Sequence, residues 1–163
     1  MWQNEEQQID FKIVRYHLSE SPERYNPNGV LFFNRYIDGN NLYYTGIRVD
    51  GNMIIKKKVN GSYYTLAEKK IFPGTYNRDT NPTLLPQNRW MSIRTTVVTN
   101  PDNTVTITLY VDPTNSGTWT ETFEAVDDGH SYGGAAITAK GYAGIRTDFM
   151  DVYFNDYKIQ ELK

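Results

Sequence analysis

Tyr44, Arg48, Arg35 and Lys57 lie close together in the sequence, and between them they offer flat aromatic surface and fixed positive charge. Those are the two features that a sugar ring and an acidic group respectively call for. An aromatic ring presents an apolar face on which a sugar can stack, and a guanidinium fork fits a carboxylate bidentately. In the run from Leu42 to Val49, side chains alternate between the two faces of a strand. Tyr43, Thr45, Ile47 and Val49 form the apolar set and are assigned to the core, which leaves Tyr44, Gly46 and Arg48 on an outer face. In the run from Val30 to Tyr36, Leu31, Phe33 and Arg35 share one face, and Arg35 is placed beside Tyr44. Lys57 is expected to join them from the next strand. The same residues also fit a solvated sheet surface on which Tyr packs against Arg. The acidic pairs are less suggestive. A glycosidase on a strand needs its two carboxylates on one face, at a spacing of two. Glu121 with Glu124, and Asp148 with Asp151, have a spacing of three and fall on opposite faces of a regular strand. His17 and His130 fall in loop or strand-end positions and read as surface histidines.

Short strands must position these groups. Asp38-Gly39-Asn40-Asn41, Asp50-Gly51-Asn52 and Asn60-Gly61 are turn signals, because Gly and Asn accept the positive φ that tight hairpins require. They divide residues 28–66 into a four-strand antiparallel meander. Ile9 to Tyr16 alternates as a half-buried strand, and Met53–Val59 and Ser62–Ala67 complete the meander. The proline-rich segment Lys70 to Gln87 has no period and is read as a crossover between two sheets. Further strands are expected at 89–99, 104–112, 119–126, around Gly141–Arg146 and over Met150–Leu162. No helical period of useful length occurs. The pattern specifies an all-β chain, a two-sheet antiparallel β-sandwich over residues 9–163, preceded by a flexible N-terminal tail over 1–8 that includes Trp2. Trp90 is read as a core residue; Trp119 and Tyr132 are loop-proximal rings that could stack on a ligand, with the core preferred for Trp119.

At 163 residues the chain makes one domain with a sizeable core. It has no cysteine, which leaves neither disulfides nor thiolate metal sites. The formal net charge of -2 carries no nucleic-acid footprint, and no apolar run approaches the roughly 20 residues of a membrane span. Lys56-Lys57-Lys58 is split between two faces by alternation and reads as a solvated edge. The N-terminal residues lack the basic and apolar regions of a signal peptide. The aromatic content of 14%, with 13 tyrosines, suits sheet surfaces and binding faces alike.

Taken in order, NGVLFFNRYIDGNNLYYTGIRVDG, KKKVNGSYYTLAE, RWMSIRTTVV with TVTITLYVD, KGYAGIRTD and VYFNDYKIQEL resemble the concanavalin A-like, or laminin G-like, jelly roll of bacterial carbohydrate-active proteins. The resemblance covers residues 9–162. It implies two antiparallel sheets, one of them concave, with ligand lying across the concave face. It brings Arg146 onto that face, on the strand containing Gly144-Ile145, and gives the ligand set Tyr44, Arg48, Arg35, Arg146 and Lys57. Members include carbohydrate-binding modules, lectins, glycoside hydrolases and polysaccharide lyases, so the fold does not select a function. The hydrolases' alternating Glu-x-Asp signature is absent. The alginate-lyase-like segment is echoed only at Ile71–Arg78, and its Gln-x-His partner is missing. The closing Ile159–Leu162 resembles the end of domains described as keto-disaccharide hydrolases. Structural Ca²⁺ at the rim is an option that Asp127-Asp128 and Asp148 with Asp151 could serve chemically, but the opening Asp-Asp-Phe strand is missing.

The expectation is therefore non-catalytic binding of a polysaccharide or oligosaccharide through the concave sheet, with acidic glycans favoured by the cationic set. No cofactor is required, and neither nucleic acid nor membrane insertion is expected. The resemblance implies an extracellular or cell-surface setting beside flanking domains. The alternatives are a lyase acting on uronate-containing polymers and a structural or protein-interaction laminin G-like domain.

Overall fold

The computed structural model describes residues 1–163 and contains ten strands and no helix. The strands are β1 (Glu5–Tyr16), β2 (Gly29–Asp38), β3 (Asn41–Arg48), β4 (Asn52–Val59), β5 (Ser62–Lys70), β6 (Trp90–Thr99), β7 (Val105–Asp112), β8 (Glu121–Asp127), β9 (Tyr142–Thr147) and β10 (Met150–Glu161). They form two five-stranded sheets in the orders β10-β1-β6-β7-β8 and β5-β4-β3-β2-β9. All pairings are antiparallel. The expected meander is β2 to β5, and the segment after β5 does cross to the other sheet. The sheets face each other with β8 against β5, β7 against β4 and β6 against β3.

Alternation builds the core. Ile9, Phe11 and Ile13 of β1, Ile93 and Val97 of β6, and Val105, Ile107, Leu109 and Val111 of β7 point inward from one sheet. Val30 and Phe32 of β2, Tyr43 and Ile47 of β3, and Met53 and Ile55 of β4 meet them from the other. Burial of this kind is the main favourable term in holding two sheets together.

Several expectations need correction. Residues 5–8 are not a tail: β1 begins at Glu5, pairs with β6 on one side and β10 on the other, and buries Glu5 and Gln7. Trp2 exchanges backbone hydrogen bonds with Gly141 at 2.8 and 3.0 Å. Trp90 and Trp119 leave the core for the outer face of the first sheet. Lys12 lies 5.2 Å from the Trp90 ring and 5.3 Å from Tyr153, while Arg94 lies 4.2 Å from Tyr110 and 4.8 Å from Trp119. These cations cover aromatic surface that would otherwise face water.

One end of the interior is polar. Gln7 Nε2 donates to the Asn34 side chain at 2.7 Å, Asn34 Nδ2 donates to Thr45 at 3.0 Å, and the Thr45 and Thr95 hydroxyls meet at 2.7 Å. Glu5 lies at the margin of this network, and its Oε1 accepts from the Arg35 backbone N–H at 3.2 Å. Burial raises the Glu5 carboxyl from 4.5 to about 7, against the smaller opposing pull of its hydrogen bond and of the Arg35 charge. The fold therefore holds a proton that the unfolded chain gives up sooner. This contribution to stability is complete below about pH 4.5 and is lost as the pH rises through about 7. Glu5→Gln should melt at the wild-type temperature near pH 5 and at a higher temperature near pH 8; thermal unfolding at both values checks this.

Candidate functional site

The outer face of the β5-β4-β3-β2-β9 sheet carries a hollow of about 160 Å³. Its floor follows from strand register. Arg146, Leu31, Gly46, Ile54 and Glu68 stand directly opposite one another across β9, β2, β3, β4 and β5. In the middle of this row Gly46 has no side chain, so the floor between Leu31 and Ile54 stays low. Gly46 adopts φ +149°, and a Cβ there would lie 2.3 Å from the Val30 carbonyl oxygen. The backbones of β2 and β3 approach too closely for any other residue.

The walls are aromatic and cationic. Tyr44 of β3 is 6% exposed, and its ring stacks on Tyr63 of β5 with centroids 5.7 Å apart and planes 12° apart. The Tyr44 hydroxyl donates to the Tyr63 hydroxyl at 3.0 Å. Burial raises the Tyr44 phenol, and donating to Tyr63 raises it further. Burial also pushes Tyr63 up, but the Tyr44 hydrogen bond and the Lys58 ammonium outweigh it and hold Tyr63 below the ordinary phenol range. Phe33 and Tyr36 continue the aromatic row beyond Tyr44, at successive centroid spacings of 5.5 and 5.7 Å. Glu23, Tyr25 and Pro27, from the loop between β1 and β2, form the remaining wall.

Both arginines that line the hollow bring their own carboxylates. Arg48 binds Asp50 through Nη2, lies 3.5 Å from Glu68 through Nη1, and donates from Nε to the Asn26 carbonyl at 3.3 Å. Arg146 donates from Nε to Asp148 at 2.8 Å, and this partner raises its guanidinium despite burial. Its other nitrogens make no hydrogen bond within the protein, and the side chain remains 31% exposed. Lys56 also lines the hollow and has no carboxylate or carbonyl partner. Burial lowers its ammonium, and the nearby Arg48 charge lowers it further. The arrangement offers an apolar floor, a stacked pair of phenols, two uncommitted groups of N–H donors and carboxylate acceptors at one end.

Of the five expected ligand residues, the structure brings Tyr44, Arg48 and Arg146 together and sends Arg35 and Lys57 inside. Arg35 has φ 46° and marks a bulge after Asn34, which reverses the alternation. Its side chain turns into the interior and donates to the Ile137 carbonyl at 2.7 Å, while Tyr36 takes the outer face. Lys57 pairs with Tyr43 in register and is fully buried. Its ammonium lies 2.9 Å from Asp127 and donates to the carbonyls of Gly134 and Ala135 at 2.8 Å each. Alternation from Met53 and Ile55 leads inward to Lys57, so this placement was available from the sequence. The same count turns Lys56 outward. Tyr63 and the Glu23–Pro27 loop carried no comparable signal.

The remaining candidate groups are engaged elsewhere. Asp127 takes Lys57 and the Tyr43 hydroxyl, the latter at 2.6 Å, and Asp148 takes Arg146. Asp127 and Asp148 are thus each committed to a cation of the chain itself, and no group of three or more His, Asp or Glu side chains converges. Glu121 pairs with Lys69 at 2.7 Å, whereas Glu124 accepts from Thr108 at 3.0 Å on the opposite face. His17 is 2.8 Å from Asp151, outside the hollow. Arg78 of the lyase-like segment braces the Glu20 and Ser21 carbonyls and does not line the hollow.

Among solved structures, the chain is similar to the carbohydrate binding module CBM66 from Bacillus subtilis. The TM-score is 0.56 with 14% sequence identity, and the match covers 97% of this chain and 75% of that one. The likeness is one of fold: an all-β sandwich of two antiparallel sheets. No family model and no curated protein matches the chain.

Proposed function

We propose that this chain is a non-catalytic carbohydrate-binding domain of the concanavalin A-like type, with its ligand site in the hollow between Tyr63 and Arg146. The observation that carries the reading is the convergence of Tyr44, Tyr63, Arg48, Lys56 and Arg146 around an apolar floor on one sheet face. The likeness to a carbohydrate binding module supports it. The hollow is smaller than the roughly 300–1,000 Å³ of a drug-sized pocket, which suits one sugar unit of a longer chain. The apolar floor accepts the C–H face of that unit, and the flanking donors and acceptors accept its hydroxyls. Arg48 is paired with Asp50 and Arg146 with Asp148, so the anion preference falls to Lys56, which has no carboxylate partner and lies 5.6 Å from the Tyr63 ring, and to the free edge of Arg146. A uronate or sulfate group placed there selects acidic polysaccharides. In this reading the domain works at or outside the cell surface as part of a larger protein.

The test is titration of purified protein against neutral and acidic polysaccharides at two salt concentrations. Acidic ligands should bind and weaken with added salt. Tyr63→Ala, which removes half-exposed stacking surface, should weaken binding while leaving the melting temperature near wild type. Equal binding of neutral polymers, insensitive to salt, would remove the acidic preference; silence toward every glycan would favour a protein-interaction sandwich.

One observation favours a second reading. The depressed Tyr63 phenol, receiving a hydrogen bond from Tyr44 near Lys58 and Arg146, has the parts of a base for β-elimination from a uronate. Growth of unsaturated-uronate absorbance with an acidic polymer, abolished by Tyr63→Phe, is its signature.

A further inference from the structure

Each sheet has two edges, and three of the four edge strands discourage pairing. β9 has only six residues, β5 ends in Glu68-Lys69-Lys70, and β8 carries Glu121 and Glu124 and ends at the buried Asp127. Short length and charge are the usual protections of an exposed edge. β10 also carries charges, at Asp151, Asp156, Lys158 and Glu161, but at twelve residues it is the longest of the four edges, and one side of it has no partner strand. Tyr153, Phe154 and Tyr157 are exposed by 60, 43 and 42% respectively. Phe154 lies opposite Phe11 and therefore belongs to the core-facing side, yet it stays nearly half uncovered.

The inward-facing residues of β10 follow from its register with β1. Val152 lies opposite Ile13, Phe154 opposite Phe11 and Ile159 opposite Gln7. Tyr157 also turns inward, donating its hydroxyl to Gln7 Oε1 at 2.9 Å. An irregular step makes this set unusual. Asn155 lies opposite Asp10 and Lys158 opposite Gln8, so Asp156 and Tyr157 both fall against Ile9, with Asp156 at φ 50°. This bulge shifts the alternation by one residue at the centre of the strand. The inward residues Val152, Phe154, Tyr157 and Ile159 become symmetric about the point between Asn155 and Asp156, and none of these four is charged; at the strand ends the same point relates Met150 to Glu161. A strand without the bulge could not be symmetric about a point between two residues. On the outward side the same point relates Tyr153 to Lys158.

We propose that two copies of this chain pair edge to edge through β10, antiparallel about a two-fold axis between Asn155 and Asp156, to form one continuous ten-stranded sheet. Val152 then faces the partner copy's Ile159, and Phe154 faces its Tyr157, so like faces meet and the uncovered rings are buried. Tyr153 meets Lys158 on the outer face, repeating the Lys12–Tyr153 cation contact, and the Asn155 amide meets the Asp156 carboxylate. Such an interface is isologous and closes at two copies.

Two experiments test it. Sedimentation equilibrium over a concentration series should show the mass rising from 18.9 kDa toward twice that value, and Phe154→Lys should remain monomeric. The register is tested by crosslinking, which is direct because the chain has no cysteine. Paired residues on antiparallel strands are about 4.5–5.5 Å apart at Cα, within disulfide reach. A mixture of Tyr153→Cys and Lys158→Cys proteins should therefore form a disulfide heterodimer at least tenfold faster than Tyr153→Cys alone. A wild-type mass of one chain at every concentration, or crosslinking no faster in the mixture, overturns the proposal.

Discussion

Lys57→Met should lower stability by about 3–5 kcal/mol, the range for removing one partner from a buried ion pair. Lys57 and Asp127 are both fully buried, so loss of the ammonium strands a carboxylate in the interior, with only the Tyr43 hydroxyl and the Gly129 N–H left to meet it. The carbonyls of Gly134 and Ala135 lose their donor in the same step. Methionine keeps the apolar stem, so the change isolates the charge. A loss of this size is a large part of the roughly 5–15 kcal/mol that holds a typical domain folded. At about 2–4 °C per kcal/mol for a chain of this size, the melting temperature should fall by roughly 6–20 °C. Chemical denaturation measures the effect. Adding Asp127→Asn should cost less than the sum of the two single changes, because the stranded carboxylate is gone. A Lys57→Met protein as stable as wild type would mean that the loop carbonyls and Asp127 are hydrated in solution.

The second large effect separates two arginines that border the same hollow. Arg48→Ala should reduce both stability and glycan affinity, whereas Arg146→Ala should reduce affinity alone. The Arg48 and Asp50 side chains are 8 and 9% exposed, and Asp50 retains only weak or backbone partners once the guanidinium is gone. A stability loss of about 3 kcal/mol is expected from a partner stranded in this way. Arg48 also donates to the Asn26 carbonyl, so its loss loosens the loop that carries Tyr25 and Pro27. Arg146 is more open, at 31%, and Asp148, itself 15% exposed, keeps the Gly29 N–H at 3.4 Å when the guanidinium is removed. Its loss should weaken binding by about ten- to hundredfold, the worth of a hydrogen bond to a charged group. Calorimetric titration beside thermal melts reads both quantities. Unchanged affinity in Arg146→Ala would move the ligand off this hollow.

The legible parts of this molecule were those with a period. The turn residues Asp50-Gly51 and Asn60-Gly61 marked the hairpins, and alternation placed Tyr44 and Arg48 on the outer face and Tyr43 and Ile47 in the core. What breaks the period leaves no local trace. The bulge at Arg35 reverses the faces of β2, and nothing in Asn34-Arg35-Tyr36 announces it. Glu5 and Gln7 alternate with residues just as polar, so their burial rests on partners far along the chain: Asn34, Arg35 and Tyr157. Lys57 had the right parity but a charge that argued for water. Its acceptors come from a loop some 77 residues away, which no pattern around Lys57 records. Trp90 and Trp119 show the converse, since cations supplied by Lys12 and Arg94 let large rings remain outside.

The pairing of β1 with β6 and β10 has a consequence for the order of assembly during synthesis. The meander that carries the hollow joins strands consecutive in the chain, so β2 to β5 can form as each hairpin emerges. β1 emerges first but has no partner until β6 has been made, and its second partner is the last strand of all. At about 5–20 residues per second, Ile9, Phe11 and Ile13 wait on the order of ten seconds for the sheet that buries them. The part of the ligand face built by β2 to β5 is thus laid down early on local contacts, and β9 with Arg146 joins it late. The sheet beneath it closes late, and in the interval the nascent chain depends on whatever shields a bare apolar strand.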